Sequence, residues 1–346
     1  MKSLLLLLAA LPAAALAQVQ LNGAGATFPN IIYQDWILTY NQTHPDAKLN
    51  YQSIGSGGGI RQFSDGTVDF GASDAPMTDS AIAAIGGNVL HVPTVLGAVV
   101  VAYNLPGLAQ PVKFTPDVIA DIFLGKITKW NDARLTSINA GLSLPATDIV
   151  VVHRADGSGT SFVFTDYLSK VSSEWQQKVG KGTSVNWPVG LGGRGNEGVS
   201  STVNQTPGAI GYIELGYATA NKIPFGTVRN SSGNWITPSL ESVTAAAAGA
   251  MKDMGPNTDF RVSITNSTGP QAYPIASFTW FLVHKSYADT AKARALIQFI
   301  WWAESEGQAK APQLGYAPLP RDLHPWIQAR LKSVTAGGRA VWKAAE

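Results

Sequence analysis

The stretch HRADGSGTSF, residues 153–162, places one Arg, one Asp, two Gly, two Ser and one Thr between an apolar run and a second run with helical spacing. Before it, residues 149–152 read Ile-Val-Val-Val, a β-branched sequence suited to a strand. After it, Phe162, Val163, Phe164, Tyr167 and Leu168 recur as one face of a helix. Residues 157–161 therefore sit where a helix begins. The first N–H groups of a helix have no partner within it, and the helix dipole adds partial positive charge, so an anion is favoured there. Gly lets the backbone approach closely, while Ser158, Thr160 and Ser161 add hydroxyl donors and Arg154 a charged planar fork. Two readings fit these ten residues equally: an oxyanion pocket, or a Ser/Thr-capped helix with Arg154 and Asp156 paired on the surface.

Outward from this stretch, the same kind of junction recurs. GAGATFP, residues 23–29, follows the apolar Val19 and Leu21 and leads into Ile31, Ile32, Trp36, Ile37 and Tyr40, with Pro29 suited to a first helical turn. An alternating strand over residues 48–54 breaks into GSGGG, residues 55–59, ahead of Ile60 and Phe63. Packing gives no reason for a Ser inside four glycines at a helix start. VDFGASDAP, residues 68–76, is a short strand ending at Asp74, where Pro76 blocks continuation. Ligands of α/β folds sit at the carboxyl ends of strands, and all four segments occupy such ends, which raises the anion-site reading over the capped helix.

Asp74 is the informative residue, because a carboxylate repels an anion unless the anion carries a proton to donate. Phosphate does so near neutral pH and sulfate does not, so an Asp acceptor would discriminate between them. The alternative role for Asp74 is to cap the helix that begins after Pro76.

Length and composition bound the rest. A chain of 346 residues with 45% apolar content holds about two domains. With 25 basic and 23 acidic residues and 14% charged overall, no large field points to nucleic acid or an acidic membrane surface, so anion selectivity must be local. The N-terminus carries Lys2, an apolar run through Leu11 and a small-x-small pattern at Ala15 and Ala17, which predicts a cleavable signal peptide over residues 1–17 and an exported, soluble product. No Cys is present, so there is no disulfide, no thiolate metal site and no lipidation at the cleavage point. That composition favours a free periplasmic protein.

Long apolar runs at residues 91–103 and 273–283 are expected to be two strands that cross between lobes. The loop PVGLGGRGNEG, residues 188–198, contains two overlapping G-x-G-x-x-G matches, but no good strand precedes it, and it is expected to be a turn into a helix over residues 196–203. A helix is also expected over residues 325–343. No G-x-S-x-G elbow or H-E-x-x-H is present and the five His are scattered, so no metal or other cofactor is expected. Hydrolysis would need Ser158 as nucleophile with His153 as base, and nothing in the sequence orients that His.

Taken together, GAGATFP, IGSGGG, VDFGASDAP and RADGSGTSF resemble the phosphate-binding protein family of the high-affinity phosphate ABC transporter. The resemblance extends through FLGKITKWND, GLGGRGNEG, PGAIGYIE and YAPLP, over nearly the whole mature chain. It implies an α/β, two-lobed periplasmic-binding-protein fold of type II with two crossover hinge segments, and no covalent chemistry. One lobe would comprise residues 18–95 plus 272–346, the other residues 96–271. Carried over by motif, the phosphate contacts would be Thr27, Phe28, Ser56, Asp74, Arg154, Ser158, Gly159 and Thr160, with Asp156 orienting Arg154 through a salt link. Family members often carry a second Ser where this chain has Gly57, and His153 has no assigned role. The implied partners are inorganic phosphate and the membrane permease subunits, with the receptor a monomer. The alternatives are a receptor for another tetrahedral oxyanion such as sulfate, or a secreted phosphatase.

Overall fold

The structure, a computed structural model, describes residues 18–108 and 110–342. The expected signal peptide lies outside the described residues. The frame is one eight-stranded sheet built from β1 (Val19–Gly25), β2 (Ala47–Ser53), β3 (Phe70–Ser73), β4 (Leu90–Tyr103), β5 (Val150–Arg154), β6 (Leu191–Gly193), β7 (Ala209–Glu214) and β8 (Ala276–Val283). Their spatial order is β2-β1-β3-β8-β4-β7-β5-β6.

The sheet divides at β4. Residues 90–98 of that strand pair antiparallel with β8, and residues 99–103 pair antiparallel with β7. One strand therefore belongs to two half-sheets, as its sequence suggests: LHVPTVLGAVVVAY has no polar face, and every residue of it is buried. The chain returns to the first half through β8, where Trp280 lies opposite both Ser73 and Pro93. These are the two crossings that the apolar runs predict.

Within each half the site-bearing strands are parallel. β1 pairs with β2 and β3 in one, and β5 with β6 and β7 in the other. Parallel strands need helical connections, and these are supplied by α1 (Asn30–Thr43), α2 (Ser56–Ser64), α3 (Gly159–Val171) and α4 (Gly195–Gln205), all beginning just beyond strand ends. A later helix, α5 (Thr290–Glu304), buries Leu296, Phe299 and Ile300.

The cores hold the helices at fixed angles to the strands. Trp36, Trp130, Trp175 and Trp280 are fully buried, and each indole N–H donates to a backbone carbonyl, of Gly307, Gly208, Gly180 and Phe260 respectively. Burying an aromatic this size without losing its N–H bond keeps the full hydrophobic gain, about 1.5–3 kcal/mol for a large apolar side chain.

Two expectations are corrected. The loop at 188–198 is not only a turn, since Leu191–Gly193 adds an edge strand beside β5 and the helix begins at Gly195. The C-terminal helix runs only from His324 to Lys332 with Ser333 as its C-cap, and beyond it Gly337 and Gly338, in left-handed conformations, turn the chain into a short hairpin of Thr335–Ala336 against Arg339–Ala340.

Candidate functional site

The opening stretch folds as strand, turn and helix, with Ser158 as N-cap: its side-chain oxygen accepts from the Ser161 N–H at 3.0 Å, while its own N–H donates to the Thr183 carbonyl. The cap consumes one lone pair of Ser158 and leaves its O–H free to donate. Beneath it, Phe164 of α3 stacks on the Tyr212 ring at 4.4 Å, and the Tyr212 hydroxyl takes the Arg154 N–H at 3.0 Å and bonds Ser161 Oγ at 2.6 Å. An aromatic contact in the core thus fixes the strand end and the helix start together.

Arg154 is not a surface residue. Its side chain is 1% exposed and lies in a two-point ion pair with Asp156, Nε to Oδ1 at 2.8 Å and Nη2 to Oδ2 at 2.5 Å, while Nη1 reaches Thr160 Oγ1 at 3.3 Å. Burial alone would raise the Asp156 carboxyl, but Arg154 and the Gly195 N–H outweigh it and hold the group below the usual carboxylate range. Of the two readings of residues 153–162, the surface pair is excluded. His153 points away from this cluster, its ring stacked on Trp187 at 5.0 Å and its Nδ1 against the Arg154 carbonyl oxygen.

On the facing half-sheet, the loop after β1 is held by three tyrosines on three consecutive carbonyls. Tyr51 donates to the Ala26 oxygen, Tyr217 to Thr27 and Tyr316 to Phe28, at 2.7, 2.7 and 2.6 Å. A peptide unit is planar with C=O and N–H opposed, so pinning the carbonyls of 26 and 27 aims the N–H groups of Thr27 and Phe28 the other way. The three tyrosines themselves do not stand out in the sequence, although the loop they hold does.

The two faces meet. Gly57 N–H donates to the Gly157 carbonyl at 2.9 Å, and a Cβ at Gly57 would lie 3.1 Å from Gly157 Cα, leaving little room for a side chain at position 57. A Cβ on Gly159 would fall 2.4 Å from both Asp74 Oδ2 and Ser56 Oγ. Gly159→Ala is therefore expected to keep the fold and lose anion affinity by about 100-fold or more, since the methyl forces apart groups that the site requires together. Unchanged binding by calorimetry would contradict this packing.

Asp74 is 1% exposed. Its N–H donates to Ser56 Oγ, Ser56 Oγ reaches back to Oδ2 at 3.4 Å, and Thr279 donates to Oδ1 at 2.8 Å. Burial pushes this carboxyl up to about 7, against the pull of Thr279, Arg154 and Ser56. The capping role for Asp74 does not arise, because Thr78 caps the helix that follows, accepting the Ala81 N–H.

Thr27, Phe28, Ser56, Asp74, Arg154, Ser158, Gly159 and Thr160 are thus all buried in one connected cluster at the ends of β1, β2, β3 and β5. Among the described residues, the N–H groups of Thr27, Phe28, Ser56, Gly159 and Thr160 have no protein acceptor. The arrangement is five aimed N–H donors, several hydroxyls and one guanidinium around a single carboxyl acceptor, which suits a small anion carrying a proton. Two members of the cluster escaped sequence reading, Thr279 and Asn196. Asn196 lies at another Gly-rich helix start, GRGNEG, the same signal as the other junctions. Among the described residues no group of three or more His, Cys, Asp or Glu could hold a metal ion, and no helix is long and apolar enough to cross a membrane.

The model of the PBP superfamily domain matches residues 12–306. The phosphate-binding protein PstS of Xylella fastidiosa is 47% identical over 312 residues, covering 90% of this chain and 84% of that protein. The chain belongs to the PstS family of phosphate-binding proteins. The PstS of Pasteurella multocida is 42% identical over 326 residues, with 93% of each chain covered. Among solved structures, a phosphate-binding protein from Stenotrophomonas maltophilia superposes with a TM-score of 0.69 at 18% identity, covering 92% of this chain and 96% of that one. A high-affinity periplasmic phosphate-binding protein solved with phosphate, PfluDING, gives 0.69 at 21% identity over 90% and 92% of the two chains. These likenesses show the two-lobed α/β periplasmic-binding-protein fold that the PstS motifs imply.

Proposed function

We propose that this chain captures inorganic phosphate in the periplasm and delivers it to the membrane permease subunits of an ABC-type importer. The observation that carries this reading is the set of unpartnered, aimed N–H groups surrounding one guanidinium and one carboxyl acceptor. Relatives at 42–47% identity named as phosphate-binding proteins support it.

In this reading Thr27 and Phe28 bind phosphate through the backbone, Thr27 also through its hydroxyl, and Ser56 adds a hydroxyl from the start of α2. Asp74 takes the phosphate proton. Arg154 neutralises charge while Asp156 holds it in place, and Ser158, Gly159 and Thr160 complete the cradle. The base that hydrolysis at Ser158 would need, His153, is turned onto Trp187, which favours binding and release over covalent chemistry. Two lobes, residues 18–95 plus 272–346 and residues 96–271, close about the strands that cross between them, and the receptor acts as an exported monomer. Release from the membrane side follows opening at those strands.

Titration of the mature chain with phosphate and with sulfate tests this. Tight phosphate binding with sulfate weaker by about 10⁴-fold or more is expected, as for a site that leaves a buried polar group unpaired with the wrong ligand. Equal affinities, or turnover of a chromogenic phosphate ester, would reject it.

A further inference from the structure

The Asn196 amide has one possible orientation. The Glu214 N–H is a donor and lies 3.0 Å from Oδ1, so Nδ2 must face the other way, where it donates to Thr27 Oγ1 at 2.7 Å and Thr160 Oγ1 at 3.1 Å. These are hydroxyls on opposite half-sheets. Each receives a second N–H bond: Thr27 Oγ1 from the Asn196 backbone at 3.2 Å, and Thr160 Oγ1 from Arg154 Nη1 at 3.3 Å. A hydroxyl oxygen has two acceptor lone pairs and one O–H. In both threonines the lone pairs are filled, and among the described residues neither O–H has a protein acceptor.

We infer that Asn196 is a positioning residue that makes Thr27 and Thr160 obligate donors toward the bound anion, and so sets which protonation state of phosphate the site accepts. This rests on the phosphate reading above. A serine or threonine hydroxyl is ordinarily ambivalent and can turn to accept a proton from its ligand. With Asn196 in place these two cannot, so bare phosphate oxygens face Thr27 and Thr160. The one proton is confined to the side of Asp74, where Ser56 Oγ already accepts the Asp74 N–H. A phosphate carrying a second proton would direct it at a hydroxyl with no lone pair left. Asn196 thereby supplies selectivity without contributing a charge.

The ionisable groups packed around the two threonines are Asp74, Asp156, Glu197, Glu214 and Arg154. Glu197 Oε1 lies 2.9 Å from the Tyr217 hydroxyl, whose proton goes to the Thr27 carbonyl, and burial pushes Glu214 strongly up. Burial pushes Tyr212 up to about 12 and Tyr217 further, so neither phenol ionises in the working range. All of these are present in wild type and in an Asn196 variant, so their titration cancels in the ratio of the two affinities.

The test is calorimetric titration of inorganic phosphate into the mature wild type and Asn196→Ala, at about pH 8, where the dianion dominates, and at about pH 5.5, where the singly charged ion does. The variant is expected to lose about 30-fold at the higher pH and about 3-fold at the lower, because freed lone pairs on Thr27 and Thr160 can accept the additional proton. Asn196→Ser, which keeps a hydroxyl for the Glu214 N–H but no amide to span two threonines, gives the same contrast should the Ala variant not fold. A loss equal at the two pH values, larger at the lower one, or absent altogether would overturn the inference. A wild type that binds no phosphate at either pH would instead overturn the function on which it rests.

Discussion

Arg154→Ala is expected to lower phosphate affinity by about three orders of magnitude. Arg154 is the one guanidinium in the cluster, and its charge is desolvated, with the side chain 1% exposed. Removing it takes away charge-assisted bonds and leaves Asp156, 13% exposed at its side chain, without its counter-charge and close to an incoming anion. Truncating a buried, hydrogen-bonded charge that faces the ligand costs about 2–5 kcal/mol of binding, and every 1.4 kcal/mol is about tenfold in affinity. Lys at this position is expected to restore little. Arg154 bonds Asp156 at two points and Thr160 at a third, and an ammonium cannot match that planar fork. Calorimetry on folded variants measures the effect, and a loss below about tenfold would remove Arg154 from the site.

Asp74→Asn is expected to shift selectivity more than affinity. In the proposed site the wild-type carboxylate would accept from a protonated phosphate oxygen but would face sulfate with acceptor against acceptor. An amide in its place can offer N–H, so sulfate should gain while phosphate loses modestly, and the ratio of the two affinities should fall by about 100-fold. The same group predicts a pH dependence. With its carboxyl raised from 3.8 to about 7, the folded protein holds that proton more tightly than the unfolded chain does. The stability it contributes is therefore complete below about pH 4 and is lost as pH rises through about 7. In the ligand-free state the melting temperature of wild type relative to Asp74→Asn should fall across that window. As pH drops below about 7, a protonated Asp74 becomes a donor, and discrimination against sulfate in wild type should narrow. A selectivity ratio identical in the two proteins would count against the acceptor role.

The eight residues of the cluster were legible because each lies in a local signal: Gly and Ser or Thr directly after a strand pattern, which needs no knowledge of the fold to be noticed. What remained hidden depends on pairing between distant segments. Thr279 sits in an apolar run, YPIASFTWFLV, and reads as an ordinary strand residue; only the antiparallel pairing of β8 with β3, setting Trp280 opposite Ser73, brings its hydroxyl to Asp74. The three tyrosines at 51, 217 and 316 come from a strand, a helix and a C-terminal loop, and nothing local links them to the carbonyls of 26–28. Asn196 did carry the local signal. Its G-x-G-x-x-G motif reads as a plain turn into a helix, whereas its neighbours in space are the two threonines. The C-terminal helix is shorter than expected: Ile327 and Leu331 are its buried face, and past Ser333 the chain enters the Gly337-Gly338 turn.

The position of β8 has a consequence for the order in which the molecule is made. It lies between β3 and β4, yet it is residues 276–283, whereas its neighbours are complete by residue 103. A chain growing from its N-terminus has β1 to β4 long before the strand that joins them exists. The first half-sheet is thus left with an open slot until more than three quarters of the polypeptide has been synthesised, and its closure is a contact of long sequence separation, the slowest kind to form. The fold postpones its own completion until nearly the whole chain is available.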